Sequence, residues 1–200
     1  MKLTWHGHAC FRAESEEGII VFDPYEDGSV PGLRPLDISA DVILCSHGHS
    51  DHSAKEVVRQ TRRLTRFPIE KINCFHDDKH GTLRGKNIIY VVSVEDMLIV
   101  HLGDLGHELD DYSKIQNCDV LMIPVGGHYT IDAKTAKNIV EAIHPRIVIP
   151  MHYRSDTFGY DVISTLDDFL DITDNHIFYD TDTLIIDKDT KNQIAVLKYK

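Results

Sequence analysis

Three histidines and one aspartate occupy six consecutive positions of this chain, His47-Gly48-His49-Ser50-Asp51-His52. Imidazole nitrogens and carboxylate oxygens are donors that suit zinc, and also manganese or iron. Such a cluster is only a solvated His-rich loop unless something fixes it. Before it, Asp41-Val42-Ile43-Leu44-Cys45-Ser46 reads as a buried strand. After it, Ser53-Ala54-Lys55-Glu56 reads as a capping box that opens a helix over residues 53–64. A loop gripped at both ends by regular structure can hold its side chains in fixed places, as a preorganised metal site requires.

The elements around this loop alternate. Residues 2–13 and 18–23 read as two strands joined by a polar turn, and residues 26–40 as Gly/Pro-punctuated loop. A short strand follows at 72–75. Residues 87–94 and 96–102 read as a hairpin turning at Val94-Glu95-Asp96, and 119–125 as an apolar strand. Residues 132–143 read as a helix with Asp132 at its N-cap and Pro145 beyond its end. Residues 146–151 read as a strand, 157–170 as mostly helical, and 178–186 with 194–199 as a closing pair.

Five of these apolar runs deliver a His or Asp at the same end. They lead to His47, to His76-Asp77-Asp78, to Gly103-Asp104, to Gly126-Gly127-His128 and to His152. In a layered α/β domain such ends can converge on one edge, where ligand sites tend to lie. One polar residue placed so is unremarkable; five in register argue for a single site.

Length and charge bound the partners. Two hundred residues without repeats or a linker suit a single domain, 1–200. No apolar run approaches the length needed to cross a bilayer, and the start Met1-Lys2-Leu3-Thr4-Trp5-His6 shows no signal-peptide core. Cys10, Cys45, Cys74 and Cys118 form no C-x-x-C pair, which suits reduced thiols in a cytoplasmic protein. The formal net charge of −11 disfavours nucleic acid as a partner. Arg59, Arg62, Arg63 and Arg66 have the spacing of one helical face. That face is most simply solvated, and it is the one feature favouring an anionic substrate.

These motifs, in this order, resemble the metallo-β-lactamase superfamily over residues 3–153. The resemblance implies an α/β fold, the four-layer αββα sandwich, with metals at one edge of the sheets. It implies His47 and His49 as ligands of a first metal, and Asp51 with His52 as ligands of a second. Asp104 resembles the aspartate that bridges both metals, and His152 the last histidine of the second. His76 is the choice for the third histidine of the first metal, with His80 as competitor. Asp51 is also the residue assigned a catalytic part. The phrases His101-Leu102-Gly103-Asp104-Leu105-Gly106-His107, Ile123-Pro124-Val125-Gly126-Gly127-His128-Tyr129-Thr130 and Ile149-Pro150-Met151-His152-Tyr153 resemble a branch of small metal-dependent hydrolases related to the ascorbate-6-phosphate lactonases.

The chemistry expected of such a site is hydrolysis. Two divalent cations, zinc first and manganese or iron as alternatives, at about 3.5–4 Å would lower the pKa of a shared water enough to supply hydroxide near neutral pH. That bridging hydroxide attacks a carbonyl or phosphoryl centre, and the metals stabilise the developing charge. No G-x-S-x-G or Cys-His signature offers a protein nucleophile. The favoured reading is a hydrolase of a small ester, lactone or phosphoester. The alternatives are a nuclease or phosphodiesterase of the same fold and a non-hydrolytic redox or binding member. A small-molecule substrate is the expected partner, with no membrane, and a homo-oligomer is compatible with the chain.

Other polar residues have plainer readings. His6 and His8 alternate along the first strand, with His8 a candidate support for the site. His101 reads as a residue orienting backbone, and Asp23 before Pro24 as a turn residue. His107, His128, Tyr129 and Tyr153 are candidates for a pocket lining. His144 and His176 carry no functional signal.

Overall fold

The computed structural model describes residues 1–61, 65 and 67–200. Its first strand shows how the layers are built. In Lys2-Leu3-Thr4-Trp5 the second and fourth residues are buried and their neighbours are not, the alternation that a sheet with one covered face imposes. Strands β1 (Lys2–Trp5), β2 (Phe11–Ser15), β3 (Gly18–Phe22), β4 (Ile38–Ala40), β5 (Val42–Leu44), β6 (Val58–Gln60) and β7 (Ile69–Phe75) make the first half of the chain. Strands β8 (Lys86–Val94), β9 (Met97–His101), β10 (Val120–Pro124), β11 (Ile147–Met151), β12 (His176–Phe178), β13 (Thr183–Ile185) and β14 (Gln193–Val196) follow, with helices α1 (Ala133–Ile143) and α2 (Asp167–Leu170) among them.

The strands form two mixed sheets. One has the order β13-β1-β2-β3-β5, the other β12-β14-β11-β10-β9-β8-β7, and β4 pairs with β6 in a separate ribbon. Strands β10 and β11 are buried along their whole length, as central parallel strands covered on both faces are. Leu3, Trp5, Phe11, Ile20, Phe22 and Leu44 of the first sheet share one core with Tyr90, Val92, Ile99 and Val120 on the facing side of the second. Burying each such side chain contributes roughly 1.5–3 kcal/mol over leaving it in water. A second cluster, Cys10, Val21, Tyr25, Ile38, Ala40 and Val58, lies on the other face of β3 and is closed by the β4–β6 ribbon.

The two sheets thus form an α/β sandwich in which, among the described residues, α1 and α2 pack together on one side while the β4–β6 ribbon covers the first sheet. Helix α1 links the parallel strands β10 and β11 and buries Ala136, Ile139 and Ile143. Asp132 caps it by accepting from the Thr135 N–H at 2.8 Å, and His144 ends it in a left-handed conformation. No helix among the described residues is long and apolar enough to cross a membrane.

Several elements differ from the sequence expectation. The helix predicted over 53–64 is a short 3-10 turn, Lys55–Val57, followed by β6. Ser53 Oγ donates to the His49 carbonyl at 2.9 Å instead of capping a helix. Val58 pairs with Ile38 and is buried in the second cluster; burial of β-branched residues in an extended ribbon outweighs the local helix signal. Arg59 therefore sits exposed on a strand, and the predicted basic face fails as a helical face there. Arg62, Arg63 and Arg66 lie outside the described residues. The predicted helix over 157–170 reduces to α2, because Gly159 takes φ +98° and Ser155 Oγ accepts from the Thr157 and Phe158 N–H groups. The run 2–13 is broken at 6–10 by a turn in which Cys10 N–H donates to the Gly7 carbonyl at 2.9 Å. The predicted closing pair also parts company, since β12 pairs with β14 while β13 pairs with β1. The hairpin at Val94-Glu95-Asp96-Met97 is present, with Glu95 and Asp96 both at positive φ, the two-residue turn that matches strand twist.

Candidate metal centre

Strand direction decides which side chains can meet. Strands β1, β3 and β5 run the same way in one sheet, and β7, β9, β10 and β11 do in the other. Past their C-terminal ends come His8, Asp23, His47, His76, Asp104 and His152. The two sheets bring these ends to a common edge.

The Oδ2 atom of Asp104 lies at the centre. It is 3.0 Å from His76 Nε2, 3.2 Å from His52 Nε2, 3.2 Å from His152 Nε2 and 3.8 Å from His47 Nε2. Two groups of ligand atoms flank it. His47, His49 and His76 form one, and His8, Asp51, His52 and His152 form the other. All seven residues expected as ligands are thus brought to one place. His76 is in the cluster, whereas His80 is exposed and packs edge-on to Phe75 at 5.6 Å. Asp77 and Asp78 are not free to substitute for Asp104. Asp77 accepts four backbone N–H groups, from Lys79, Gly81, Leu83 and Arg84, at 2.8–3.1 Å. Burial would raise its pKa, but these four bonds hold it down to about 2. Asp78 is exposed and pairs with Lys79 at 3.0 Å.

A ring of supports fixes the cluster. Asp23, fully buried, takes His52 Nδ1 on its Oδ2 at 2.8 Å and accepts from Ser46 Oγ at 2.6 Å and Ser46 N–H at 2.7 Å. Ser46 Oγ in turn lies 2.9 Å from His47 Nδ1. One carboxylate therefore sets the orientation of a histidine in each group, the usual role of an outer carboxylate. His101 holds the Ala9 carbonyl with Nε2 at 2.9 Å and accepts from Gly103 N–H with Nδ1 at 3.1 Å, so it orients backbone as its position predicts. Asn87 Oδ1 accepts from the Asp104 N–H at 3.0 Å. His76 Nδ1 meets the Tyr129 carbonyl at 3.1 Å. Tyr160 Oη donates toward Asp51 Oδ2 at 3.1 Å and toward the Ser29 carbonyl at 2.8 Å.

Some expectations need correcting. His6 and His8 do not share a strand face, because the chain turns between them. His8 is in the cluster, its Nε2 3.3 Å from Asp51 Oδ2 and its ring 4.0 Å from that of His152. Of the five strand ends, the one leading to His128 delivers no ligand: His128 takes φ +55° and is exposed. Of the four lining candidates, only Tyr129 lines the cavity over the cluster. Tyr153 is core, packed on Trp5 at 5.5 Å, and His107 Nε2 accepts the Phe75 N–H at 3.2 Å. Asn87, Tyr160 and Arg84 are missed by sequence reasoning. Asn87 alone leaves a trace, as a polar residue in an apolar strand.

The donor set fits divalent cations. Buried His52 Nε2, Asp104 Oδ1, His152 Nδ1 and both ring nitrogens of His8 have no hydrogen-bond partner. His52 Nε2 is close to Asp104 without being aligned for a hydrogen bond. Buried polar atoms are normally satisfied; apart from His6 Nε2, the buried atoms left without a hydrogen bond belong to residues of this cluster, as expected of residues that would hold a charged partner. Burial, with the neighbouring His52, lowers His47 to about 3, and burial with His152 lowers His8 to about 4. Both rings are then neutral near pH 7, the form that ligates metal. Burial disfavours a charge on His52, yet Asp104 and Asp23 together raise its pKa well above the ordinary value.

Comparison with known proteins agrees with this architecture. The chain matches the family model of the β-lactamase superfamily domain over residues 2–152. It is 30% identical to a UPF0173 metal-dependent hydrolase of Thermoplasma acidophilum, covering 78% of this chain and 84% of that one. A relative of the same description from Carboxydothermus hydrogenoformans is 28% identical, covering 78% and 85%. Among solved structures, a candidate Zn-dependent hydrolase of the metallo-β-lactamase superfamily from Thermotoga maritima superposes with a TM-score of 0.78 at 33% identity, over 98% of this chain and 97% of that one. With its strand-end histidines and aspartates in the superfamily's order and its two sheets in the superfamily's arrangement, this chain belongs to the metallo-β-lactamase superfamily, among its metal-dependent hydrolases.

Proposed function

We propose that the protein is a dinuclear hydrolase of a small ester, lactone or phosphoester. The observation that carries this reading is the position of Asp104 Oδ2 between two groups of imidazoles, within 3.0–3.8 Å of four Nε2 atoms. His47, His49 and His76 would hold one cation, Asp51, His52 and His152 the other, and Asp104 would bridge them. When bound, two divalent metals, zinc by preference, supply an activated water and positive charge at the electrophile. Asp51 would orient that water, its carboxylate held by the Tyr160 hydroxyl at 3.1 Å. Asp23 and Ser46 keep His52 and His47 turned toward the centre.

The substrate reading rests on size and charge. The cavity over the cluster is about 250 Å³, below the roughly 300–1,000 Å³ of sites for drug-sized ligands. A small molecule fits that space, and the acidic chain repels a polynucleotide.

The test is reconstitution. Metal-depleted protein is loaded with zinc, manganese or iron, its metal content measured by elemental analysis, and its turnover followed on lactones, carboxyl esters and phosphodiesters. Two metals per chain and turnover that appears with loading are expected. One metal or fewer at saturation contradicts the dinuclear site, and loaded protein inert on all three classes contradicts hydrolysis.

A further inference from the structure

A second hollow, of about 330 Å³, lies behind the candidate metal centre and is floored by aromatic rings. Its size is within the range of small-ligand sites. Trp5 packs on Tyr153 at 5.5 Å, on Phe158 at 5.8 Å and on Tyr199 at 6.2 Å, and all four side chains line it. Tyr153 is only 6% exposed, yet its hydroxyl makes no hydrogen bond among the described residues. The comparably buried Tyr25 and Tyr90 each donate to a backbone carbonyl at 2.9 Å, as a buried phenol normally does. The Tyr153 oxygen is not sealed in protein; it opens on the hollow that the residue lines.

The rings are held in place from behind. Trp5 Nε1 donates to the His8 carbonyl at 3.0 Å, and the His152 N–H donates to the same carbonyl at 3.3 Å. Ser155 Oγ accepts from the Thr157 and Phe158 N–H groups at 3.1 and 3.3 Å, which fixes the turn that carries Phe158. Rigid aromatic surfaces of this kind favour a flat ring, which they meet face or edge on. The charged residues at the rim are Arg154, Lys198, Asp156 and Asp167, two cations and two anions. Such a rim favours an uncharged ligand over an ion of either sign. Burial pushes the Tyr153 phenol up from its ordinary pKa, so near neutral pH the group keeps its proton and presents a donor. A donor left open calls for an acceptor on the ligand.

We infer that this hollow is a binding site for a small, uncharged aromatic molecule whose carbonyl-type acceptor takes the Tyr153 hydroxyl while its ring packs among Trp5, Phe158 and Tyr199. The site is separate from the cavity over the metal-ligand cluster, and its ligand is independent of the reaction performed there. The two are nevertheless joined through one backbone group, since Trp5 in the floor and His152 in the cluster both hold the His8 carbonyl.

Trp5 is the only tryptophan of the chain, so its fluorescence reports occupation of the hollow directly. The experiment titrates metal-loaded protein with benzamide, a flat ring with a carbonyl acceptor and no charge. A saturable change in Trp5 emission is expected, with a dissociation constant of about 1 mM or tighter. Y153F keeps the ring and removes the donor; it is expected to weaken benzamide about fivefold, and toluene, which has no acceptor, by less than about twofold. Cyclohexanecarboxamide has the acceptor without the aromatic ring and is expected to bind wild type about fivefold more weakly than benzamide. Thr165 stands half-buried in the wall. T165F fills the space and is expected to weaken benzamide about tenfold or more. Thermal melting and metal content of each variant check that the fold is intact; if T165F does not fold, Y153F alone decides. No saturable response of wild type up to about 20 mM benzamide overturns the inference, as does benzamide affinity within about twofold of wild type in Y153F or in folded T165F. Cyclohexanecarboxamide binding as tightly as benzamide overturns the aromatic class, and benzoate binding about tenfold more tightly than benzamide overturns the uncharged one.

Discussion

Asp23 and His52, 29 residues apart in sequence, are joined by a 2.8 Å contact in which no atom of either carboxylate or ring is exposed to solvent. The same carboxylate takes both donors of Ser46, so it links the end of β3 to the start of the histidine loop. Asp23→Asn keeps the volume and removes the charge that orients His52. Metal affinity is expected to fall about 10–100-fold, read by competition with a chromophoric chelator. Unchanged affinity would show that His52 is positioned by packing alone.

His76 and His80 separate cleanly. His76→Ala is expected to lower metal content in the group containing His47 and His49, while His80→Ala leaves it as in wild type. Elemental analysis of both variants decides, and metal loss in His80→Ala alone would reverse the assignment.

His8 has a buried Nδ1 without a hydrogen bond, and its Nε2 lies 3.3 Å from the Asp51 carboxylate of the second group. Its removal is expected to weaken that group specifically. Titration of metal into His8→Ala should show one site at wild-type strength and one weakened by about tenfold or more. Two sites of wild-type strength would make His8 a packing residue.

Much of the site is legible in the sequence because each ligand ends its own apolar strand. Parallel strands ending in His or Asp converge whatever the intervening loops do, and so His47, His76, Asp104 and His152 could be named together. His128 shows the limit: it ends such a run too, but a left-handed backbone turns it out to solvent. Asp23 reads as a turn residue because only the parallel register of β3 with β5 sets it beside Ser46. Tyr160 reaches Asp51 across 109 residues, a pairing for which the sequence holds no local signal. A layered α/β domain is legible from the alternation of strands and helices, whereas the sandwich itself is what the family resemblance implies. The segment after the histidine loop is not, because Val58 gains more by pairing with Ile38 than its capping signals gain as helix.

Gly103, next to Asp104, lies tight against the Asn87 and Ser46 side chains. It takes φ +56°, and a Cβ there would lie 2.4 Å from Asn87 Oδ1 and 2.5 Å from Ser46 Cβ. Gly103→Ala adds strain of about 1–3 kcal/mol from the backbone conformation alone, with a steric term on top. Urea unfolding should show a loss in that range or beyond. A loss below about 0.5 kcal/mol, the size of a neutral surface change, would mean that the loop relaxes and the approach is not enforced.

Metal content of Asp104→Asn against His152→Ala tests the bridged centre most directly. Asp104 faces both imidazole groups, and its negative charge compensates the repulsion between two dications. His152 faces only the second group. Elemental analysis after saturation and gel filtration should find Asp104→Asn depleted at both sites, well below one metal per chain, and His152→Ala holding close to one. Asp104→Asn that retains two metals per chain would contradict the account, because Asp77 is committed to four backbone N–H groups and cannot take its place.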